Sequence, residues 1–199
     1  VEAIADTHDD LEDEEPIPLA YVLFSAPIHQ ESAESLLTEL GRCATQGVKE
    51  VRLLISTFGG NVAAGINLYN VLRGLPFQLV THNVGNVASI GVAVYLAGDK
   101  RLACPNTTFV THGVTNEPPP NQAFGAKWFR ERHDGILADE ATINSILAER
   151  TALNLEELAA LAETEQTKDA STAVAEGIAH KIEDVDIPEG VPVLTVPTG

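Results

Sequence analysis

The stretch Val80–Ala97, VTHNVGNVASIGVAVYLA, decides how this chain is read. The apolar run Phe77–Thr81 reads as a strand, Asn83–Asn86 as a turn, and Ala88–Ala97 as a helix of small and apolar residues. Ser89 stands at the start of that helix. The first turn of a helix leaves backbone N–H groups unpaired and carries partial positive charge, so an oxyanion formed beside Ser89 would be stabilised. Ala88, Gly91 and Ala93 are small enough to let another backbone come close. The same serine also fits a plain N-cap, a role in which serine is favoured.

Outward from this stretch, strand and helix signals alternate. Ala20–Phe24 reads as a short strand closed by Pro27, and Glu31–Thr45 as an amphipathic helix with Ala33, Leu36, Leu37 and Leu40 on one face. Glu50–Ser56 is a buried strand ending at Phe58-Gly59-Gly60-Asn61, and Val62–Leu72 is helical. Arg101–Cys104 and Thr107–Thr111 read as two more strands around Pro105-Asn106. Such alternation predicts an α/β layer fold. Past the proline-rich loop Asn116–Asn121, no proline interrupts Gln122–Arg150. One helix there would run roughly 40 Å at ~1.5 Å per residue, too long for a domain of this size to cover alone. It would protrude toward another subunit, unless it bends or breaks near Gly135. Leu155–Ala162 and Asp169–Glu176 are short helices, the second capped by Asp169 and stopped by Gly177. Ile178–Ile182 closes as a strand, and residues 188–199, with Pro188, Pro192 and Pro197, form an extended tail on the surface.

Composition narrows the classes. Residues 1–16 hold eight of the 29 acids and no Lys or Arg, which predicts a solvated, disordered arm dispensable for folding. A net charge of −17 argues against nucleic-acid binding, because phosphate contacts rest on Lys and Arg. No apolar run is long enough to span a membrane, and two cysteines, Cys43 and Cys104, make neither a disulfide framework nor a zinc site. The expectation is a cytoplasmic protein. Walker, HExxH, paired-cysteine and G-x-S-x-G motifs are all absent, so no cofactor or metal is expected in this chain.

Three features converge on one chemistry: Ser89 at its helix start, His112 at the end of Thr107–Thr111, and the Gly59-Gly60 turn. A strand-end imidazole suits a general base held by a rigid element, and glycines let a substrate chain approach backbone donors. Together they resemble the proteolytic subunit (ClpP) family of the Clp protease, within the Clp/crotonase fold group, over roughly Tyr21 to Asp184. Thr57-Phe-Gly-Gly-Asn-Val-Ala-Ala-Gly-Ile-Asn-Leu-Tyr69 is similar to the family's SPGG-x-V-x-x-G-x-x-I-Y, and Gly85-Asn-Val-Ala-Ser89-Ile-Gly to its G-x-A-A-S-M-G nucleophile motif. Ala97-Gly98, Lys100-Arg101 and Pro105-Asn106 match the family's subsequent AG…KR…PN run. Phe109-Val-Thr-His112 is similar to the segment with the general base, and Asp169–Ile182 to the closing helix and strand.

The resemblance implies an α/β fold of repeated strand-strand-helix units with a protruding handle helix at about 122–150, within a serine peptidase domain over 17–187. It implies a Ser–His–acid triad in which Ser89 attacks and His112 takes the proton, with oxyanion donors at Gly59, Gly60 and Ile90. Counting back from Gly177, the family's aspartate position falls on Glu165; Asp169 and Glu163 are the alternatives. It further implies a homo-oligomer of heptameric rings, possibly stacked as a tetradecamer, unfolded polypeptide or peptide substrates, and an AAA+ ATPase partner as the only source of ATP. Departures mark a divergent member: Thr57-Phe58 stands for Ser-Pro, Ile90 for methionine and Gly113 for glutamine. Three other readings remain: a crotonase-type acyl-CoA enzyme, a Ser–Lys peptidase using Lys100 or Lys127, and an inactive ring scaffold.

Overall fold

The computed structural model describes residues 18–197; the predicted acidic arm lies outside the described residues. The apolar runs form β1 (Leu19–Ser25), β2 (Glu50–Thr57), β3 (Gln78–Ala88), β4 (Lys100–Ala103) and β5 (Thr108–Thr111). Helices α1 (Gln30–Thr45), α2 (Val62–Arg73) and α3 (Ile90–Leu96) connect them. The C-terminal part adds α4 (Ala126–Arg150), α5 (Leu155–Glu163), β6 (Gln166–Asp169), α6 (Ala170–Ala175), β7 (Lys181–Ile182) and β8 (Val193–Thr195). The strands make one eight-stranded sheet in the order β6-β5-β3-β2-β1-β8, with β4 on β3 and β7 on β4. Only β5–β6 is antiparallel. Parallel strands covered on both faces read as near-continuous apolar runs, and Val51, Leu53, Leu54 and Ile55 of β2 are all buried.

The spine is β3, and here the structure corrects the expected turn at Asn83–Asn86. Those residues stay in the strand but change partners: Val80–Asn83 pair with β4, whereas Asn86–Ala88 pair with β5. Opposite them the β2 register slips between Ile55 and Thr57. The Asn83 side chain holds this irregularity, accepting from Gly85 N–H at 3.0 Å and donating to the Thr108 carbonyl at 2.9 Å. The Asn-Val-Gly-Asn turn signal therefore marks a bulge, which bends the strand and re-aims its C-terminal end. Ser89 is the next residue after that end.

The long helix is continuous through Gly135, where an added Cβ would meet nothing within 4 Å. At 25 residues it reaches about 37 Å at ~1.5 Å per residue, and only Ile146 and Leu147 near its end are buried. It starts at Ala126, four residues later than predicted, because Gly125 is still extended (φ −85°, ψ 168°). Phe124 folds back onto Trp128, ring centroids 4.1 Å apart, with Phe129 edge-on to Trp128 at 5.1 Å.

Two C-terminal expectations change. Instead of a strand over Ile178–Ile182, only Lys181–Ile182 pairs, because the chain first has to end α6. Gly177 takes φ 71°, and Ala179 N–H reaches back to the Ala173 carbonyl at 3.0 Å. The tail does not simply lie on the surface: Val193–Thr195 adds as β8 alongside β1 and satisfies an otherwise open sheet edge. β6, which the sequence reading missed, runs beside β5 and leads straight into the Asp169 cap of α6.

Candidate active site

Ser89 sits where the bulged β3 ends and α3 begins. Its backbone takes φ 56° and ψ −133°, a region that L-residues avoid unless their surroundings impose it. The imposing contacts are visible: Ser89 N–H donates to the Val110 carbonyl of β5 at 2.8 Å, and its carbonyl accepts from Val92 N–H at 2.9 Å. Although Ser89 is the N-cap of α3, its hydroxyl makes no capping bond, so the plain-cap reading leaves its side chain unexplained. Ser89 is half-buried, and its strained backbone at a strand-to-helix turn leaves the hydroxyl uncommitted.

Gly59 and Gly60 run alongside, at φ 82° and 146°. A Cβ on Gly59 would come within 2.7 Å of the Ala88 carbonyl and of Ser89 Cβ, and one on Gly60 would overlap the Ile28 carbonyl. Both positions need glycine for its backbone conformation and for the close approach. The loop is held by Ile28 N–H to the Gly59 carbonyl (2.8 Å) and Asn61 N–H to the Ile28 carbonyl (2.7 Å). Gly59 N–H donates to Thr57 Oγ1 at 3.1 Å. Gly60 N–H has no partner among the described residues, and Ile90 is the first residue of α3, where helices leave donors open. Gly60, Ile90, Ser89 and His112 line one cleft of about 80 Å³.

His112 comes directly after the last residue of β5 and is half-buried. Its Nδ1 lies 2.7 Å from the Gly113 carbonyl; a carbonyl only accepts, so Nδ1 is the donor. No carboxylate bonds His112 among the described residues. The β5–β6 ladder pairs Thr108 with Asp169 and proceeds to Thr111 with Gln166. The ladder ends there, with His112 the next residue after β5 and Glu165 the residue just before β6. Asp169 lies four residues back along the ladder, about 13 Å at ~3.3 Å per residue. Its carboxylate caps α6 through Thr172 N–H (2.7 Å) and accepts from Ser171 Oγ (2.8 Å), and these hydrogen bonds hold its pKa below the usual value. Glu163 and Glu165, both exposed, share a surface hollow with His112 and Glu140. Lys100 pairs with Val80 at the far end of β4, and Lys127 sits on the solvated start of α4, 82% exposed; neither lines the cleft.

The sequence reading missed the wall that α4 supplies. Glu140, Ile143, Asn144 and Leu147 line the cleft, and Glu140 Oε1 accepts from Val114 N–H at 3.1 Å. Their spacing of three and four was the available signal. Thr111 was missed as well: it is buried, lines the cleft, and its Oγ1 has no hydrogen-bond partner among the described residues.

Fold and site together define an α/β protein of the Clp/crotonase type with a serine and a histidine in one cleft. A family model described as Clp protease matches residues 17–186. The chain belongs to the Clp protease family. The ATP-dependent Clp protease proteolytic subunit 3 of Rhizobium etli is 26% identical over 140 residues, 69% of this chain and 70% of that protein. Its namesake in Rhizobium meliloti is 26% identical over 157 residues, 78% of each. In fold, the chain matches a point mutant of ClpP1 from Listeria monocytogenes with a TM-score of 0.74 at 23% identity, covering 83% of this chain and 91% of that one. No described helix is long and apolar enough to cross a membrane.

Proposed function

We propose that this subunit is a serine endopeptidase. The observation that carries the reading is Ser89: strained to φ 56°, its hydroxyl unused as a cap, in one cleft with His112. Ser89 Oγ attacks the peptide carbonyl carbon while its proton passes to His112 Nε2. The carbonyl oxygen becomes an oxyanion facing the Gly60 and Ile90 N–H groups. Collapse expels the amine, which takes the proton from His112, and water then hydrolyses the acyl-serine by the same steps in reverse order. The Gly113 carbonyl fixes the histidine tautomer, and Glu165 is the acid that stabilises the imidazolium. This chemistry requires no metal or cofactor from the chain. The solvated length of α4, with its Phe124–Trp128–Phe129 cluster, supports contact with another subunit; the assembly in this reading is a heptameric ring that can stack, fed with unfolded polypeptide by an AAA+ ATPase in trans.

Intact mass after fluorophosphonate treatment tests the reading. One adduct is expected on the wild type and none on Ser89→Ala, since an ordinary serine is too weak a nucleophile to react. Glu165→Gln is expected to slow peptide hydrolysis by at least ~10-fold, with Asp169→Asn close to wild type in kcat. An assembled wild type that never reacts would favour the inactive scaffold, for which the lack of a carboxylate on His112 among the described residues is the supporting observation.

A further inference from the structure

His112 is held by a peptide group, and that peptide group is held by a carboxylate. Gly113, Val114 and Thr115, the residues after the imidazole, make two hydrogen bonds among the described residues. Both fall on the one peptide that joins Gly113 to Val114. Its carbonyl oxygen lies 2.7 Å from His112 Nδ1, and its N–H donates to Glu140 Oε1 of α4 at 3.1 Å. A trans peptide is planar with C=O and N–H on opposite edges, so a partner that fixes one edge fixes the other. Without Glu140 that plane loses its second anchor, and Gly113 adds little backbone restraint of its own. No other hydrogen bond joins α4 to residues 113–115 among the described residues. Glu140 is half-buried and lines both the Ser89 cleft and the hollow that Glu163 and Glu165 share with His112. A carboxylate on the N–H also polarises the peptide, which makes its carbonyl a better acceptor for Nδ1–H.

We propose that Glu140 is a positioning residue for His112, acting through the Gly113–Val114 peptide: it holds the imidazole with Nδ1 as the donor and leaves Nε2 to take the Ser89 proton. Which nitrogen of a histidine carries the proton is set by the bond the ring makes, and here that bond ends on Glu140. The value of this hold to catalysis rests on the peptidase reading above; the hold on the ring does not. In that reading Glu165 supplies charge and Glu140 supplies orientation.

Two readouts on the assembled full-length protein test this. One is peptide hydrolysis; the other is the nitrogen NMR spectrum of histidine-labelled protein, with the His112 signals identified by their loss in His112→Asn. Glu140→Leu removes the acceptor at similar length, and Glu140→Gln keeps a neutral one. Glu140→Leu is expected to lower kcat ~10- to 100-fold, the range one hydrogen bond to a charged group supplies, with KM nearly unchanged. The fluorophosphonate reaction, which needs no substrate side chain in the cleft, should slow by a similar factor. Glu140→Gln should recover about half of the loss on a logarithmic scale, since a charged acceptor is roughly twice as strong as a neutral one; it carries the test if leucine disturbs assembly. In a Val114→Pro background, which lacks the N–H, Glu140→Leu should cost nothing further. The His112 signals should report Nδ1–H in the wild type and move toward Nε2–H in Glu140→Leu at the same pH. A further loss in the Val114→Pro background, a rise in KM alone, or a His112 tautomer indifferent to Glu140 would each overturn the proposal. The Ser89 adduct judges hydrolysis separately. A tautomer that follows Glu140 without an adduct removes only the hydrolysis; an adduct formed equally fast in Glu140→Leu removes only the role of Glu140.

Discussion

Arg101 is the side chain on which the closure of this domain most depends, and Arg101→Met tests that. The residue is 5% exposed and forms no ion pair among the described residues. Its guanidinium makes three short bonds to carbonyls, Ile178 at 2.7 Å, Arg150 at 2.9 Å and Gly177 at 3.0 Å, and a longer one to Gly98 at 3.5 Å. These tie the start of β4 to the end of α4 and to the exit from α6. Burial, then the neighbouring Arg150, pushes the Arg101 pKa down, so the charge is held at some cost. Hydrogen bonds to a charged group contribute ~1.5–3 kcal/mol each, which sets a ceiling near ~9 kcal/mol for three. Desolvation of the guanidinium and repulsion from Arg150 offset much of this. Removing one side of a buried charged network typically costs ~3–5 kcal/mol, because the groups left behind stay buried and unpaired. We expect ~3.5 kcal/mol for Arg101→Met, which keeps the stem and deletes the fork. For a chain of this size that is a fall of roughly 10 °C in Tm, or close to ~2 M in urea midpoint. Arg101→Lys should recover less than half, since an ammonium cannot serve three carbonyls held in a planar fan. Urea titration at one fixed protein concentration, with the oligomer checked beforehand, gives the number. A loss below ~1 kcal/mol would refute the reasoning and reduce these contacts to incidental ones.

The other predictions concern the site and pH. Gly60→Ala forces a Cβ into the Ile28 carbonyl and disturbs the Asn61–Ile28 bond that sets the loop. It should lower kcat by ~10²–10³ with less change in KM, the cost of misplacing one oxyanion donor; an unchanged kcat would remove Gly60 from the site. Gly135→Ala, in open space on α4, is the matched control and should stabilise by ~0.5–1 kcal/mol. His82, 2% exposed, has Nε2 2.8 Å from the Glu183 carbonyl, and burial pushes its pKa down. The folded imidazole therefore stays neutral after the unfolded one protonates near ~6.5. Stability is full above that pH and falls as pH drops toward the lowered folded value. His82→Gln, which stays neutral and keeps a donor, should show a flatter Tm between about pH 7.5 and 5; parallel curves for the two proteins would sink this.

Much of the molecule was legible in its sequence because local rules sufficed there. The helices α1 and α2 came from apolar spacing, α4 from a long stretch without proline, β2 from a continuous apolar run, and the α6 cap from Asp169. Ser89 and His112 stood at element ends, where chemistry-bearing side chains are held by rigid backbone. Short motifs in the right order were enough for the family. Tertiary structure decided what depends on partners distant in the chain. Asn83–Asn86 carries a turn signal, yet it is a strand bulge because β2, β4 and β5 all compete for the edges of β3. The tail is a strand because β1 has an open edge. Gly59 and Gly60 look alike in sequence, but Thr57 Oγ1 occupies one N–H and leaves the other. The register of β6 against β5, which no local periodicity signals, separates Glu165 from Asp169 relative to His112. Sequence sets which groups are available; only the packing of strands from opposite ends of the chain sets which of them are left unsatisfied.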